Sequence, residues 1–102
     1  MKGLKPIPAS LSILEKIENK HGIAFVEVES MFRRPHLVLR GSMDQYGERR
    51  YTSMGQTGRG RYILAVYVIE EPDLARIITA RDMTDRERTY YRKAFRQGRR
   101  QP

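Results

Sequence analysis

The chain has 102 residues, 39% of them hydrophobic and 31% charged, the size and balance of a single domain with a small core. Its longest apolar run, Tyr62 to Ile69, is too short to cross a bilayer, and the lack of cysteine excludes disulfides, thiolate metal sites and cysteine nucleophiles. Twenty Lys and Arg against twelve Asp and Glu give a net charge of +8 and a pI near 10.2, which favours a polyanionic partner: RNA, DNA or an acidic protein.

Residues 1–9 carry Gly3, Pro6 and Pro8. Two prolines two apart forbid a helix, so the chain is expected to open with an extended lead-in. Ser10 or Ser12 then caps a helix that runs through Leu11, Leu14 and Ile17 to Lys20 and His21, and Gly22 ends it in the left-handed conformation. A second short helix fits residues 24–33, with Phe25, Val28 and Phe32 buried, Glu27 and Glu29 outside, and Arg34–Pro35 as its stop. His36 to Arg40 reads as a strand and Gly41 to Gly47 as a polar loop. Residues 49–54 and 61–69 form a hairpin around the glycine-rich turn Gly55 to Gly60. The run YILAVYVI is apolar on both faces, as a central strand should be. Glu70 to Asp73 turns the chain into a last strand, Leu74 to Ala80. Thr84 and Glu87 form a capping box that opens a helix to about Gly98, followed by a frayed tail over 98–102. The expected architecture is one α+β domain over 1–102: two N-terminal helices, a four-stranded antiparallel sheet in meander order, and a C-terminal helix.

The charge is unevenly spread. Residues 1–29 are neutral, 30–61 carry +5, 62–85 carry −3 and 86–102 carry +6. Fifteen of the twenty basic residues are arginine, whose planar fork matches phosphate oxygens. On the last helix Arg88, Arg92, Arg96 and Arg99 or Arg100 form a stripe at four-residue spacing, while Glu87, Tyr91, Ala94 and Phe95 share another face. Arg50, Arg76 and Arg81 lie within or just after expected strands. Gathered on one sheet face, they can bind a phosphodiester and stabilise its developing charge; scattered, they are ordinary cross-strand partners of Glu and Asp. His21 beside Lys20 can move protons near neutral pH with the lysine holding phosphate, or it can simply interact with the dipole at its helix end. Tyr90 and Tyr91 can stack on bases, and Tyr91 is also placed to pack its helix on the sheet.

Other motifs point away from chemistry. Glu70, Glu71 and Asp73 read as a solvated turn. GQTGRG leads into a strand rather than a helix, so it reads as a hairpin loop and not a phosphate cradle. No HxxxH, HxH or GxSxG spacing exists, so neither a histidine metal centre nor a serine hydrolase is expected. No leader pattern is visible in the first fifteen residues, which suggests a cytoplasmic protein.

Over residues 20–93 these pieces together resemble the BrnT family of toxins, which belong to type II toxin–antitoxin systems and are similar in fold to RelE-type ribonucleases. The resemblance rests on Lys20-His21-Gly22, on Phe32 with Pro35, on Arg50-Tyr51 with Met54-Gly55, and on Gly60-Arg61-Tyr62. Its most specific part is Arg76-Ile77-Ile78-Thr79-Ala80-Arg81, followed by Thr84, Glu87 and Tyr91. Family members usually open with a short strand and a Trp-Asp pair, where this chain has Pro8-Ala9-Ser10 and no tryptophan.

The resemblance implies an RNA-cleaving toxin without cofactor or metal, neutralised by a small DNA-binding antitoxin of the BrnA kind. It suggests His21, Arg81, Arg50 and Glu87 as catalytic, with Glu87 orienting Arg81. Lys20, Arg76, Arg88, Arg92 and Tyr91 would then contact RNA or its phosphates. A binding module or repressor subunit with the same basic surface is the alternative.

Overall fold

The computed structural model describes residues 3–96. The helix end expected at Gly98, the tail 98–102 and Arg99 and Arg100 lie outside the described residues. The elements are β1 (Lys5–Pro8), α1 (Leu11–His21), α2 (Phe25–Phe32), β2 (Leu37–Met43), β3 (Arg49–Gln56), β4 (Tyr62–Glu70), β5 (Leu74–Asp82) and α3 (Asp85–Arg96). They form an α+β fold with three helices and one five-stranded sheet in the order β1-β5-β4-β3-β2.

The sheet corrects the expectation of four antiparallel strands. β2 to β5 are the antiparallel meander, but the lead-in is a fifth strand that pairs in parallel with β5, Lys5 opposite Leu74 and Pro8 opposite Ile77. The two prolines that forbid a helix are compatible with this strand. Lys5 N–H donates to Asp73 O at 2.7 Å and Ala9 N–H to Ile77 O at 2.9 Å. By alternation Pro6 and Pro8 turn their missing donors outward, and an edge strand needs no donor on that side.

The helices form where local chemistry says they should. Ser10 Oγ accepts the Ile13 N–H at 3.2 Å, which selects Ser10 over Ser12 as the cap of α1. Gly22 sits at φ 64°, and its N–H donates to Ile17 O. At α3, Thr84 N–H donates to Glu87 Oε1 at 2.8 Å and Glu87 N–H to Thr84 Oγ1 at 3.1 Å, the expected reciprocal box.

Two cores lie on opposite faces of the sheet. α1 and α2 cover one face, burying Ile17, Val28 and Met31 against Ile63, Tyr67 and Ile77. α3 covers part of the other, with Tyr91 and Ala94 against Leu37, Met54 and Leu64. β4 therefore alternates between two apolar layers, which explains its unbroken apolar run. At Gly55 a Cβ would lie 2.9 Å from both His36 Cβ and Met31 Cγ, so the residue's size sets how closely α2 and β2 approach β3. His36 belongs to this packing: it meets the Phe32 ring at 5.2 Å, and its Nδ1 lies 2.7 Å from Arg34 O. Burial lowers its pKa.

Candidate active site

Register decides which side chains can act together. Directly opposed residues in antiparallel strands share a face. Arg81 opposes Leu64, which packs with α3. Arg50 and Arg76 both oppose Val68, four residues along β4 from Leu64 and on the same face. The three strand arginines thus do share one face. A β-bulge makes this possible. Arg76 and Arg81 are an odd number of residues apart, so a regular strand would send them to opposite faces. The register slips at Ile78, where Val66 opposes Thr79 while Tyr67 opposes Ile77. Arg50 and Arg76 still lie about 13 Å along the strands from Arg81, at four residues of strand rise.

Each of the three carries a carboxylate. Arg50 Nε donates to Asp44 Oδ2 at 3.2 Å. Arg76 Nη2 meets Glu48 at 3.0 Å, and its Nη1 lies 3.5 Å from Glu70. Arg81 Nη1 donates to Glu87 Oε1 at 2.8 Å and to Asp82 O at 3.1 Å, and Nη2 donates to Glu87 Oε2 at 2.9 Å. A guanidinium has five N–H donors in a planar fork. Glu87 and the Asp82 carbonyl hold the end-on edge of Arg81, which leaves the side-on edge, Nε and the second Nη2 hydrogen, available to an incoming oxyanion.

Those hydrogen bonds from Arg81 are the main reason the Glu87 carboxyl is pulled down to about 2 from an ordinary 4.5, against the opposing effect of burial. Glu87 is therefore a poor proton acceptor and a good positioning group. A carboxylate with a depressed pKa stabilises the fold fully above its unfolded value and stops doing so as the pH falls through the folded value. The melting temperature should therefore fall between pH 4.5 and about 2, and Glu87→Gln should flatten that fall in a circular-dichroism titration. Asp82 and Asp44 are also held low, by Arg61 and by the Glu48 N–H respectively, so some acid sensitivity should remain in the variant. An acid profile unchanged from wild type would contradict this coupling.

The other side of the sheet end is organised by Arg61, which sequence reasoning used only as part of a motif. Asp82 opposes Ile63 and so faces α1 and α2. Arg61 grips it with Nε at 2.7 Å and Nη2 at 3.0 Å. Its Nη1 reaches Gly22 O at 3.1 Å and Glu27 Oε1 at 3.1 Å. His21 stands nearby, and its charge adds to the lowering of the Asp82 carboxyl. His21 and Lys20 thus belong to the helix side of this end and Arg81 to the α3 side, with the end of β5 between them.

The α3 candidates sit beside Arg81's face. Tyr91 is 4% exposed and is core, stacked on Phe95 at 4.9 Å. Arg88 and Arg92 lie over the Tyr62 ring, their guanidinium carbons 4.6 Å and 5.1 Å from its centroid. Tyr62 was not singled out from sequence as a site residue. Its signal was position, at the first turn-adjacent residue of an apolar strand facing the arginine stripe. Among the described residues, no group of three His, Asp or Glu side chains could hold a metal ion.

The family model for the ribonuclease toxin BrnT of type II toxin–antitoxin systems matches residues 15–87. The chain belongs to the BrnT family. The match runs from α1 through β5 to Glu87 and so spans His21, the three strand arginines and the Arg61 cluster. No curated protein sequence matches the chain. As a BrnT toxin it is assigned ribonuclease chemistry in general terms, with RNA as target and an antitoxin as partner. Among the described residues, no helix is long and apolar enough to cross a membrane.

Proposed function

We propose that this chain is a metal-independent endoribonuclease that stops translation until an antitoxin of the BrnA kind occupies it. The ribose 2′-oxygen attacks the adjacent phosphorus and the bond to the 5′-oxygen breaks. The 2′-hydroxyl proton passes to a base and the leaving oxygen gains one, so the products are a 2′,3′-cyclic phosphate and a 5′-hydroxyl. The observation that carries this reading is the half-engaged guanidinium of Arg81, oriented on one edge by Glu87 and open on the other. Such a preorganised donor stabilises the extra charge on a phosphorane without reorganising during the reaction. His21 is the proton carrier in this scheme, reached past the end of β5, with Lys20 supporting it. Arg50 and Arg76 contact phosphates farther along the strand, exchanging their surface carboxylates for RNA.

The pairing of Arg50, Arg61, Arg76 and Arg81 with carboxylates is also what structural ion pairs without a catalytic role would show, and a binding or repressor subunit is the second reading. Incubating the antitoxin-free protein with total RNA in EDTA separates the two. Cleavage leaving 2′,3′-cyclic phosphate ends is the expected result. Intact RNA, both free and on ribosomes, with the protein folded by circular dichroism, would leave the binding reading standing.

A further inference from the structure

The positive charge that α3 brings to the Arg81 side of the sheet is held in an unusual way. Arg88 and Arg92 have no carboxylate partner among the described ion pairs; the Tyr62 ring holds them instead. Arg92 Nε also reaches Tyr62 Oη at 3.4 Å, the long limit of a hydrogen bond. A carboxylate that positions a guanidinium also neutralises it, whereas an aromatic ring positions it and leaves its charge for an incoming anion. Arg88 shows this most clearly. Its Nε is buried and makes no hydrogen bond, the one such side-chain atom among the described residues. An orphaned buried donor is costly unless a ligand supplies the acceptor.

Beside this pair lies a groove of about 590 Å³, lined by Gln56, Tyr62, Tyr91, Arg92, Phe95 and Arg96. Its charged residues are both arginines. Its apolar wall is aromatic and rigidly set, because the buried Tyr91 meets Tyr62 edge-on at 5.9 Å and stacks on Phe95 at 4.9 Å. The volume falls within the range of about 300–1,000 Å³ usual for small-ligand sites. Arg88 lines the adjoining smaller pocket with Tyr62 and Met83.

We propose that this groove is a subsite for one nucleotide of single-stranded RNA, its phosphate on Arg88 and Arg92 and its base beside Tyr62. The proposal rests on the ribonuclease reading and gives that site a flanking position on the α3 side of Arg81. Aromatic faces and planar guanidinium groups accept the face of any base, so the subsite selects unpaired strands over duplexes rather than one sequence. An acidic protein segment would satisfy the arginines but make no use of the aromatic side of the groove.

The test uses a fluorescein-labelled DNA heptanucleotide, which has no 2′-hydroxyl, so binding is read by anisotropy whether or not the chain cleaves RNA. Arg88→Ala and Arg92→Ala should each raise Kd about tenfold and lower the slope of log K against log salt by about 0.7, the value for one lost single-strand phosphate contact. Tyr62→Leu should raise Kd about tenfold, and Tyr62→Phe, which keeps the ring, should stay within about twofold. A hairpin duplex of the same sequence should bind more weakly. Arg40→Ala removes the same charge from an exposed strand position and should change Kd by less than about twofold. Equal losses for Arg40→Ala and Arg92→Ala, or none for Arg88→Ala and Arg92→Ala, would overturn the subsite. Displacement of the strand by poly-glutamate, with the same sensitivity to Tyr62→Leu, would overturn RNA as occupant in favour of an acidic protein. Failed RNA cleavage with these binding changes intact would reject the enzyme reading alone.

Discussion

Arg81→Ala is expected to lower RNA cleavage about 100- to 1,000-fold, the usual cost of removing one preorganised donor from a developing oxyanion. The fold should survive. Arg81 is 38% exposed at its side chain, and Glu87 keeps its hydrogen bond with the Thr84 N–H once the arginine is gone. Circular dichroism should therefore show the same helix content. Arg81→Lys separates charge from geometry. A lysine keeps the charge but cannot be held on one edge by Glu87 while presenting the other to phosphate, so it should recover less than about tenfold. Glu87→Gln should fall between these, with the loss in kcat rather than KM, because binding charge is retained and orientation is lost. Full activity in folded Arg81→Ala would remove the centre of the proposed mechanism.

The same register that gives Arg81 this role shows what a linear reading can and cannot reach. Local signals were sufficient where the determining atoms are three or four residues apart. The Thr84–Glu87 box and the left-handed Gly22 belong to this class, and each is where the pattern put it; the expected Gly55–Gly60 turn is shifted, because Gly55 and Gln56 pair with Ile63 and Tyr62 in the hairpin and the chain turns over 57–61. The fifth strand was missed because proline was weighed against helix alone, and its edge position depends on β5 some seventy residues later. The sequence leaves the common face of Arg76 and Arg81 open against scattered pairs, and strict alternation argues for scatter; the bulge at Ile78 brings them together, and no composition rule marks a bulge there. His21 was legible as a reactive side chain at a helix end. Which side of the sheet it serves was not, since that depends on Asp82 facing away from Arg81 in the adjacent position.

Arg61→Ala is expected to be the most damaging surface substitution for stability. Arg61 joins three segments that the chain connects only distantly: the end of α1 through Gly22 O, the first turn of α2 through Glu27, and the end of β5 through Asp82. These contacts are 21 to 39 residues apart in sequence, which is why no local pattern announced them. Its removal leaves two carboxylates and a carbonyl without their cation. Hydrogen bonds to charged groups contribute roughly 1.5–3 kcal/mol each when shielded. Arg61 is 32% exposed and Asp82 55% exposed, so solvent screening discounts the total to about 2 kcal/mol. For a domain of this size that lowers the melting temperature by on the order of 10 °C. Lysine at this position reaches one carboxylate at a time and should restore less than half of the loss. A double-mutant cycle with Asp82→Asn should show positive coupling, whereas Arg40→Ala should melt within about 2 °C of wild type. A shift for Arg61→Ala no larger than that of Arg40→Ala would show that the cluster is a solvated surface pair. A large shift would mean that the ion cluster holds the His21-bearing end of α1 against the end of β5. The proposed proton carrier and the proposed phosphate-binding arginine would then owe their relative placement to a residue that touches neither substrate nor product.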